Sequence, residues 1–314
     1  MEAALEIDAQ YRALRESAGL LDRSDRARIS IRGSEAAEFL QGQLTNDVEA
    51  LAPGEGCYSA LLDRKGKIRA DMRVIRITPD EFLVDTEPAS GDLIAKHLGM
   101  YKVGRDAEVE AAPEDERLIS LIGPLSAKLL GDSPLGPEHS HRELFVAGTG
   151  CRAITTDQGA DLLVPAATVD AVRDWLLANG AEAVSERAAE IVRVEAGRPR
   201  VGHEISAQTM PQEAGINDRA VSFSKGCYIG QETVARLHYR GKPNRHLRLL
   251  TTLEPVSAGD SVSAGGKELG TVGTAVISPA RGPLALAILR REAEPGSEVL
   301  VGDTTVATVE AIDD

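Results

Sequence analysis

Lys225-Gly226-Cys227-Tyr228-Ile229-Gly230-Gln231-Glu232 sets a cysteine and an aromatic between two glycines. Glycine lets the backbone approach a ligand closely or take positive φ on either side of the thiol. The run from Gln231 to His238 contains no Pro or Gly and reads as a short helix. Cys227 then falls just ahead of a helix N-terminus, with Lys225 two residues away. A positive dipole end and a nearby ammonium both favour thiolate over thiol. The same residues also suit a tight turn around a small buried cysteine. Local chemistry leaves both readings open.

Residues 225–248 hold six basic residues, Lys225, Arg236, Arg240, Lys242, Arg245 and Arg248, against the single acid Glu232. This formal +5 stands out in a chain whose total is −14. Such a concentrated positive field suits an anionic ligand, although a solvated linker has the same composition. Glu195 lies near the end of a predicted helix, where the dipole disfavours a carboxylate. Asp71 follows Gly66-Lys67-Ile68-Arg69-Ala70. It suits an acid–base role or the end of a strand register.

Several elements must position these groups. Asp8–Ala18 reads as a helix, with Asp8 as N-cap and Gly19 as its stop. Ala27–Arg32 alternates as a strand, and Ser34 is expected to cap a helix carrying Ala37, Phe39 and Leu40. Strands at 58–62 and 68–77 form a hairpin around Asp63-Arg64-Lys65-Gly66. A further strand is expected at 82–85, and a helix opening at Ser90 buries Leu93, Ile94 and Leu98. The rhythm returns with strands at 118–122, 153–155 and 162–164 and helices at 124–130, 167–178 and about 186–196. The Pro- and Gly-rich stretch 131–138 is expected as a surface loop. After Arg240 the texture becomes short β-rich runs separated by Gly, Asp and Pro, at 248–253, 270–277, 284–289, 298–301 and 305–309. These imply a small barrel or sandwich.

A length of 314 residues suits two or three domains. At 42% hydrophobic but 3% aromatic, the cores must be built from Ala, Val, Leu and Ile. The net charge argues against a general nucleic-acid binder. Cys57, Cys151 and Cys227 are odd in number and far apart, with no CxxC or Cys/His cluster. Neither a disulfide framework nor a metal site is expected, and a cytoplasmic location fits. Residues 1–11 carry three acids and no apolar run, so they do not read as a signal peptide. Nowhere do 18 apolar residues run together, so no membrane span is expected. His97, His139 and His141 read as surface or packing residues, and Gly265-Gly266 as a turn.

Lys-Gly-Cys-Tyr-x-Gly-Gln-Glu resembles the signature of the YgfZ-type folate-binding proteins, relatives of the glycine-cleavage aminomethyltransferase (T-protein). Further segments match in family order. They are Gly19-Leu20-Leu21-Asp22, Phe39 through Asp47 with Asn46, Tyr58 through Asp71, Gly123-Pro124-Leu125, Arg193 through Pro199 with Gly202-His203-Glu204, and Pro211 through Gly215. The resemblance implies an α+β fold with two ferredoxin-like α+β units around a central folate site, followed by a small C-terminal β-barrel. It divides the chain as 1–116, 117–245 and 246–314. It implies a tetrahydrofolate ligand with Glu195 on the pterin N–H groups, and the glutamate tail near Arg236, Arg240 and Lys242. Asp71, Asn46, Tyr228, Gln231 and Glu232 complete the implied folate contacts, and Cys227 with Lys225 the reactive pair. It implies iron–sulfur enzymes or cluster-assembly proteins as partners. One departure is visible: the T-protein pattern carries paired acids where this chain has Ala70-Asp71. Three functions follow: support of iron–sulfur enzymes through Cys227, aminomethyltransferase-like one-carbon transfer, or a non-catalytic folate-binding scaffold.

Overall fold

The computed structural model describes residues 2–113, 115–131, 135–302 and 304–312, with side chains from Glu6 onward. The chain opens with helix α1 (Glu2–Glu16), strands β1 (Gly19–Asp22) and β2 (Ala27–Arg32), and helix α2 (Ala36–Gln43). Strands β3 (Gly56–Leu62), β4 (Ile68–Thr78) and β5 (Glu81–Thr86) follow, then α3 (Pro88–Tyr101) and β6 (Glu108–Ala111). Next are β7 (Glu116–Ile122), α4 (Ser126–Leu129), β8 (His141–Val146), β9 (Thr149–Thr156) and β10 (Gly159–Pro165). Helix α5 (Val169–Ala178), β11 (Glu182–Ala183) and helices α6 (Glu186–Glu195), α7 (Asn217–Ala220) and α8 (Gln231–Arg240) lead into the last strands. These are β12 (Arg245–Thr252), β13 (Ser261–Ala264), β14 (Lys267–Ser278), β15 (Gly282–Arg290), β16 (Glu298–Val301) and β17 (Thr305–Glu310).

The strands form a five-stranded sheet, β3-β4-β5-β2-β6, a six-stranded sheet, β11-β1-β7-β10-β9-β8, and a closed barrel, β12-β15-β14-β13-β16-β17. By compactness the chain divides into Met1–Ser59 with Ala70–Ala189, and Ala60–Arg69 with Glu190–Asp314. The six-stranded sheet is not built from one continuous segment. It takes β1 from near the N-terminus and pairs it between β7 and β11. Its core is aliphatic, with Leu20, Leu121, Leu162, Val172 and Leu176 at its centre. The barrel core is likewise Val, Leu and Ala, including Leu250, Val262, Leu289 and Val299.

Several elements depart from the sequence reading. Helix α1 begins six residues before Asp8, which therefore sits mid-helix and caps nothing. Residues 2–7 are mostly strong helix formers, so the helix propagates through them. Ser34 bonds Asp106 instead of capping α2, whose N-terminal flank has no side-chain cap. Helix α3 starts at Pro88, ahead of Ser90. The expected helix over 124–130 shrinks to the four residues of α4. Strands β1, β6, β8, β11 and β13 lay outside the expectations; most are short, with weak alternation. Gly265-Gly266 is a two-residue hairpin turn with positive φ at both positions. In the expected 131–138 loop, residues 132–134 lie outside the described residues.

Candidate functional site

Strand β4 is buried almost continuously from Ile68 to Ile75, on both faces, and this carries Asp71 out of water. Asp71 is 9% exposed. The Tyr58 hydroxyl donates to its Oδ2 at 2.6 Å, and the Thr86 hydroxyl donates to its backbone carbonyl at 2.6 Å. Among the described residues no cation forms an ion pair with the carboxyl, and Arg26 acts on it only through space. Burial raises its proton affinity above the usual carboxylate range, against the smaller opposing effect of the Tyr58 hydrogen bond. Tyr58 lies in a matching segment, but its role as the partner of Asp71 was not read from sequence. Counting outward from the hairpin turn, where Asp63 N–H meets the Lys67 carbonyl, brings Tyr58 opposite the 71–72 region. That register signal was present. Asn46 is committed elsewhere: its amide donates to the Tyr58 carbonyl at 2.8 Å, and its Oδ1 accepts from the Asp47 N–H.

A second buried cluster had no sequence signal. Asp85 accepts from Arg26 at 2.9 and 3.0 Å and from Arg73 at 2.7 Å. Arg73 also reaches Asp161 at 2.5 Å, and Asp161 accepts from the Ser120 hydroxyl at 2.5 Å. Burial alone would push Asp85 up, but Arg26 and Arg73 outweigh it and hold the carboxyl at about 2. The members come from β4, β5, β7, β10 and the β1–β2 turn, so only folding assembles them.

In the other compact unit, Glu195 is the last residue of α6 and is half-buried. The Ser278 hydroxyl, at the end of β14, donates to its Oε1 at 2.5 Å. Helix α6 is seated through Val194 on the barrel residues Leu249, Leu284 and Leu286. Arg193, on the same helix, pairs with Glu190 at 2.6 Å and with the buried Glu204 at 3.1 Å.

The signature forms the loop ahead of α8. Gly230 takes φ +86 and presses on the hairpin turn; a Cβ there would lie 2.5 Å from the Asp63 carbonyl. Gly66 in that turn takes φ +75 and faces Gly230 and Thr233. The two glycines permit the close approach of hairpin and loop. Asp63 holds the turn by accepting from the Lys65 and Lys67 N–H groups. Tyr228 is buried, and the buried Lys225 ammonium lies 5.2 Å from its ring centroid. Cys227 is exposed, four positions ahead of the first residue of α8. Of the two open readings of this thiol, the buried turn is therefore excluded. Gln231 folds back to the Gly226 carbonyl at 3.3 Å. Glu232 and Arg236 pair with each other at 3.1 Å on the exposed helix surface. Arg240 and Lys242 are exposed. His141 accepts or donates at Arg76 and Arg152, and His97 bonds Gln43 and stacks on Tyr101, so both are packing groups.

Among the described residues, no group of three His, Cys, Asp or Glu could hold a metal ion. No described helix is long and apolar enough to cross a membrane.

The chain is 28% identical to the aminomethyltransferase of Chlorobium limicola over 94% of its length and 86% of that protein's. It is 29% identical to the aminomethyltransferase of Rubrobacter xylanophilus over 96% and 83% of the two lengths. Its fold matches the crystal structure of the glycine cleavage system aminomethyltransferase T from Bartonella henselae, with a TM-score of 0.88. That match covers 98% of this chain and 88% of the other at 23% identity. Residues 2–225 match the GCVT N-terminal domain, and the chain belongs to that family.

Proposed function

We propose that this protein binds tetrahydrofolate and performs aminomethyltransferase-like one-carbon transfer, with Asp71 as its acid–base group. Family membership supports the class of reaction. The observation that carries the role is the setting of Asp71, buried and held by one neutral hydroxyl. Chemistry at a folate amine needs an acid near the reacting nitrogen. A carboxyl with raised proton affinity holds a proton closer to neutral pH and can return it. Ala70 occupies the neighbouring position, so a single acid carries this role.

The donor set fits a folate. Glu195 is half-buried and anchored by Ser278, which suits a carboxylate that accepts paired N–H donors of a pterin. Bound tetrahydrofolate supplies the nitrogens that exchange the one-carbon unit. The exposed Arg240 and Lys242 offer charge to its glutamate tail. Calorimetry with tetrahydrofolate, paired with single-turnover one-carbon transfer, tests the reading. Asp71→Asn should retain binding and lose transfer by at least a hundredfold, within the span of general acid–base effects, about 10²–10⁴. Undiminished transfer by the folded variant would remove Asp71 from the role.

One observation favours the second reading, support of iron–sulfur enzymes in the YgfZ manner. Cys227 is exposed, whereas Cys57 is half-buried and Cys151 buried. An accessible thiol has no use in packing. Under this reading Cys227→Ser keeps folate binding but fails to restore cluster-dependent enzymes in a deletion strain. Full rescue by the serine variant would leave one-carbon transfer as the better account.

A further inference from the structure

The charged residues of β4, β5 and β2 can be followed in rows across the five-stranded sheet. Arg73 of β4 is opposite Asp85 of β5, and Asp85 is opposite Arg28 of β2. Residues directly opposite one another share a face, so this row alternates in sign, which favours pairing. Continued by two residues, the register 73–85 becomes 71–87 and the register 28–85 becomes 26–87. The next row on that face is therefore Asp71, Glu87 and Arg26. Glu87 lies one position beyond the end of β5, and with φ −58 and ψ 144 its backbone is still extended. The Thr86 hydroxyl on the Asp71 carbonyl, at 2.6 Å, keeps the two strands side by side at this point.

This second row does not alternate. It sets two acids side by side, an arrangement that destabilises a sheet while both are ionised. Arg26 bonds only one of them, Glu87, at 2.8 Å, and commits its other donors to Asp85 at 2.9 and 3.0 Å. The other charges nearby are matched: Asp85 and Asp161 by Arg73, and Arg28 by Glu116 at 3.4 Å. Tyr58, from β3, meets Asp71 as a neutral donor. Asp71 is thus the member of the row with an acid across from it and a phenol behind it.

A structural explanation covers only part of this. Glu87 stands at the N-cap position of α3, yet its side chain makes no capping bond. Its pair with Arg26 ties the β1–β2 turn to the end of β5, and that tie calls for an acid at 87 but not for one at 71. Two carboxylates that share a site oppose each other's ionisation, so that one keeps its proton. Burial is the main reason that Asp71 is that one; Glu87 acts in the same direction, and more strongly than Arg26 acts against it. Glu87 is half-buried, nearer to water than Asp71.

We propose that Asp71 and Glu87 form a carboxyl pair across β4 and β5, in which Glu87, fastened by Arg26, is the positioning residue that keeps a proton on Asp71. Asp71 remains the group that gives up and takes back the proton. When it does give up the proton, two carboxylates face each other, and their repulsion draws the proton back. The use of the pair in one-carbon transfer rests on the acid–base reading of Asp71 above; the pairing itself does not.

Infrared titration of the full chain without ligand tests this. The C=O stretch of protonated Asp71 is isolated by subtracting the spectrum of Asp71→Asn at each pH. In the unaltered protein the band should persist above the ordinary carboxyl range, and a band already gone by about pH 4 would overturn the pairing without any variant. Glu87→Gln should lower its midpoint by about one unit, the scale of a neighbouring charge. Glu87→Asp, which keeps the carboxylate, should restore most of the shift. A Glu87→Gln variant that melts earlier but keeps the midpoint would make Glu87 a purely structural partner of Arg26 and overturn the proposal. Single-turnover transfer against pH is the separate arm. If Asp71→Asn transfers normally, the acid–base reading fails, while the infrared midpoint still decides the pair. If that reading holds, the pH–rate midpoint of Glu87→Gln should move with the infrared midpoint; a rate profile that stays in place would remove Glu87 from the positioning role.

Discussion

Asp71 and Asp85 occupy neighbouring strands of one sheet, and both are shut away from water, yet their surroundings are opposite. Asp85 stands directly opposite Arg73 across β4 and β5 and is gripped by Arg26 as well. Two guanidiniums more than offset its desolvation and keep it ionised. Asp71 is also buried, but its carboxyl is bonded by a phenol and feels Glu87 and Arg26 only through space, so desolvation wins and its proton affinity rises. The first arrangement locks strands together. The second keeps a carboxyl ready to change protonation state, which is of little structural use. One sheet thus carries a carboxylate held ionised by two guanidiniums and another with raised proton affinity, the contrast on which the proposed acid–base role rests.

The largest effect expected from this contrast is on Asp85. Asp85→Asn should cost about 3–5 kcal/mol in denaturant unfolding, because it strands Arg26 and Arg73 as buried charges without their partner. A loss below about 1 kcal/mol would mean the network is solvated and the contrast with Asp71 false. Acid titration sharpens the same point. The folded value for Asp85 lies below that of the unfolded chain. Its contribution is therefore complete above about pH 4 and disappears as pH falls toward 2. The expected loss is on the order of 2 kcal/mol, absent in Asp85→Asn.

Glu195 resembles Asp71 in being anchored by a neutral hydroxyl, that of Ser278. Glu195→Ala should weaken tetrahydrofolate binding at least tenfold, about 1.4 kcal/mol. Unchanged affinity in the folded variant would return Glu195 to a structural role. The smallest effect is a reversal of sign. A raised folded value means that ionised Asp71 costs stability at neutral pH. Asp71→Asn should accordingly hold or raise the melting midpoint while it removes transfer activity, as at other sites strained for function. A clear fall in the midpoint would place Asp71 with Asp85 as a stabilising group.

The sequence by itself determined the elements with a strong local period. The hairpin around Asp63–Gly66, helices α5, α6 and α8, and most barrel strands were legible, because alternation and turn chemistry act between near neighbours. The signature loop was legible for the same reason: its glycines and cysteine are contiguous. Composition also foretold cores of Val, Leu, Ile and Ala. Only the tertiary structure decided which charges meet. Arg26, Arg73, Asp85 and Asp161 are scattered over 136 positions with nothing in their flanks to mark them. The insertion of β1 between β7 and β11, the contact of Gly66 with Gly230, and the pairing of Glu195 with Ser278 are equally non-local. The physical reason is range. Propensity and periodicity act over a few residues, whereas burial and ion pairing act through space once the sheets have closed. Asp71 shows the division in one residue: its place on a strand was readable, but its burial beside a phenol instead of a paired guanidinium was not.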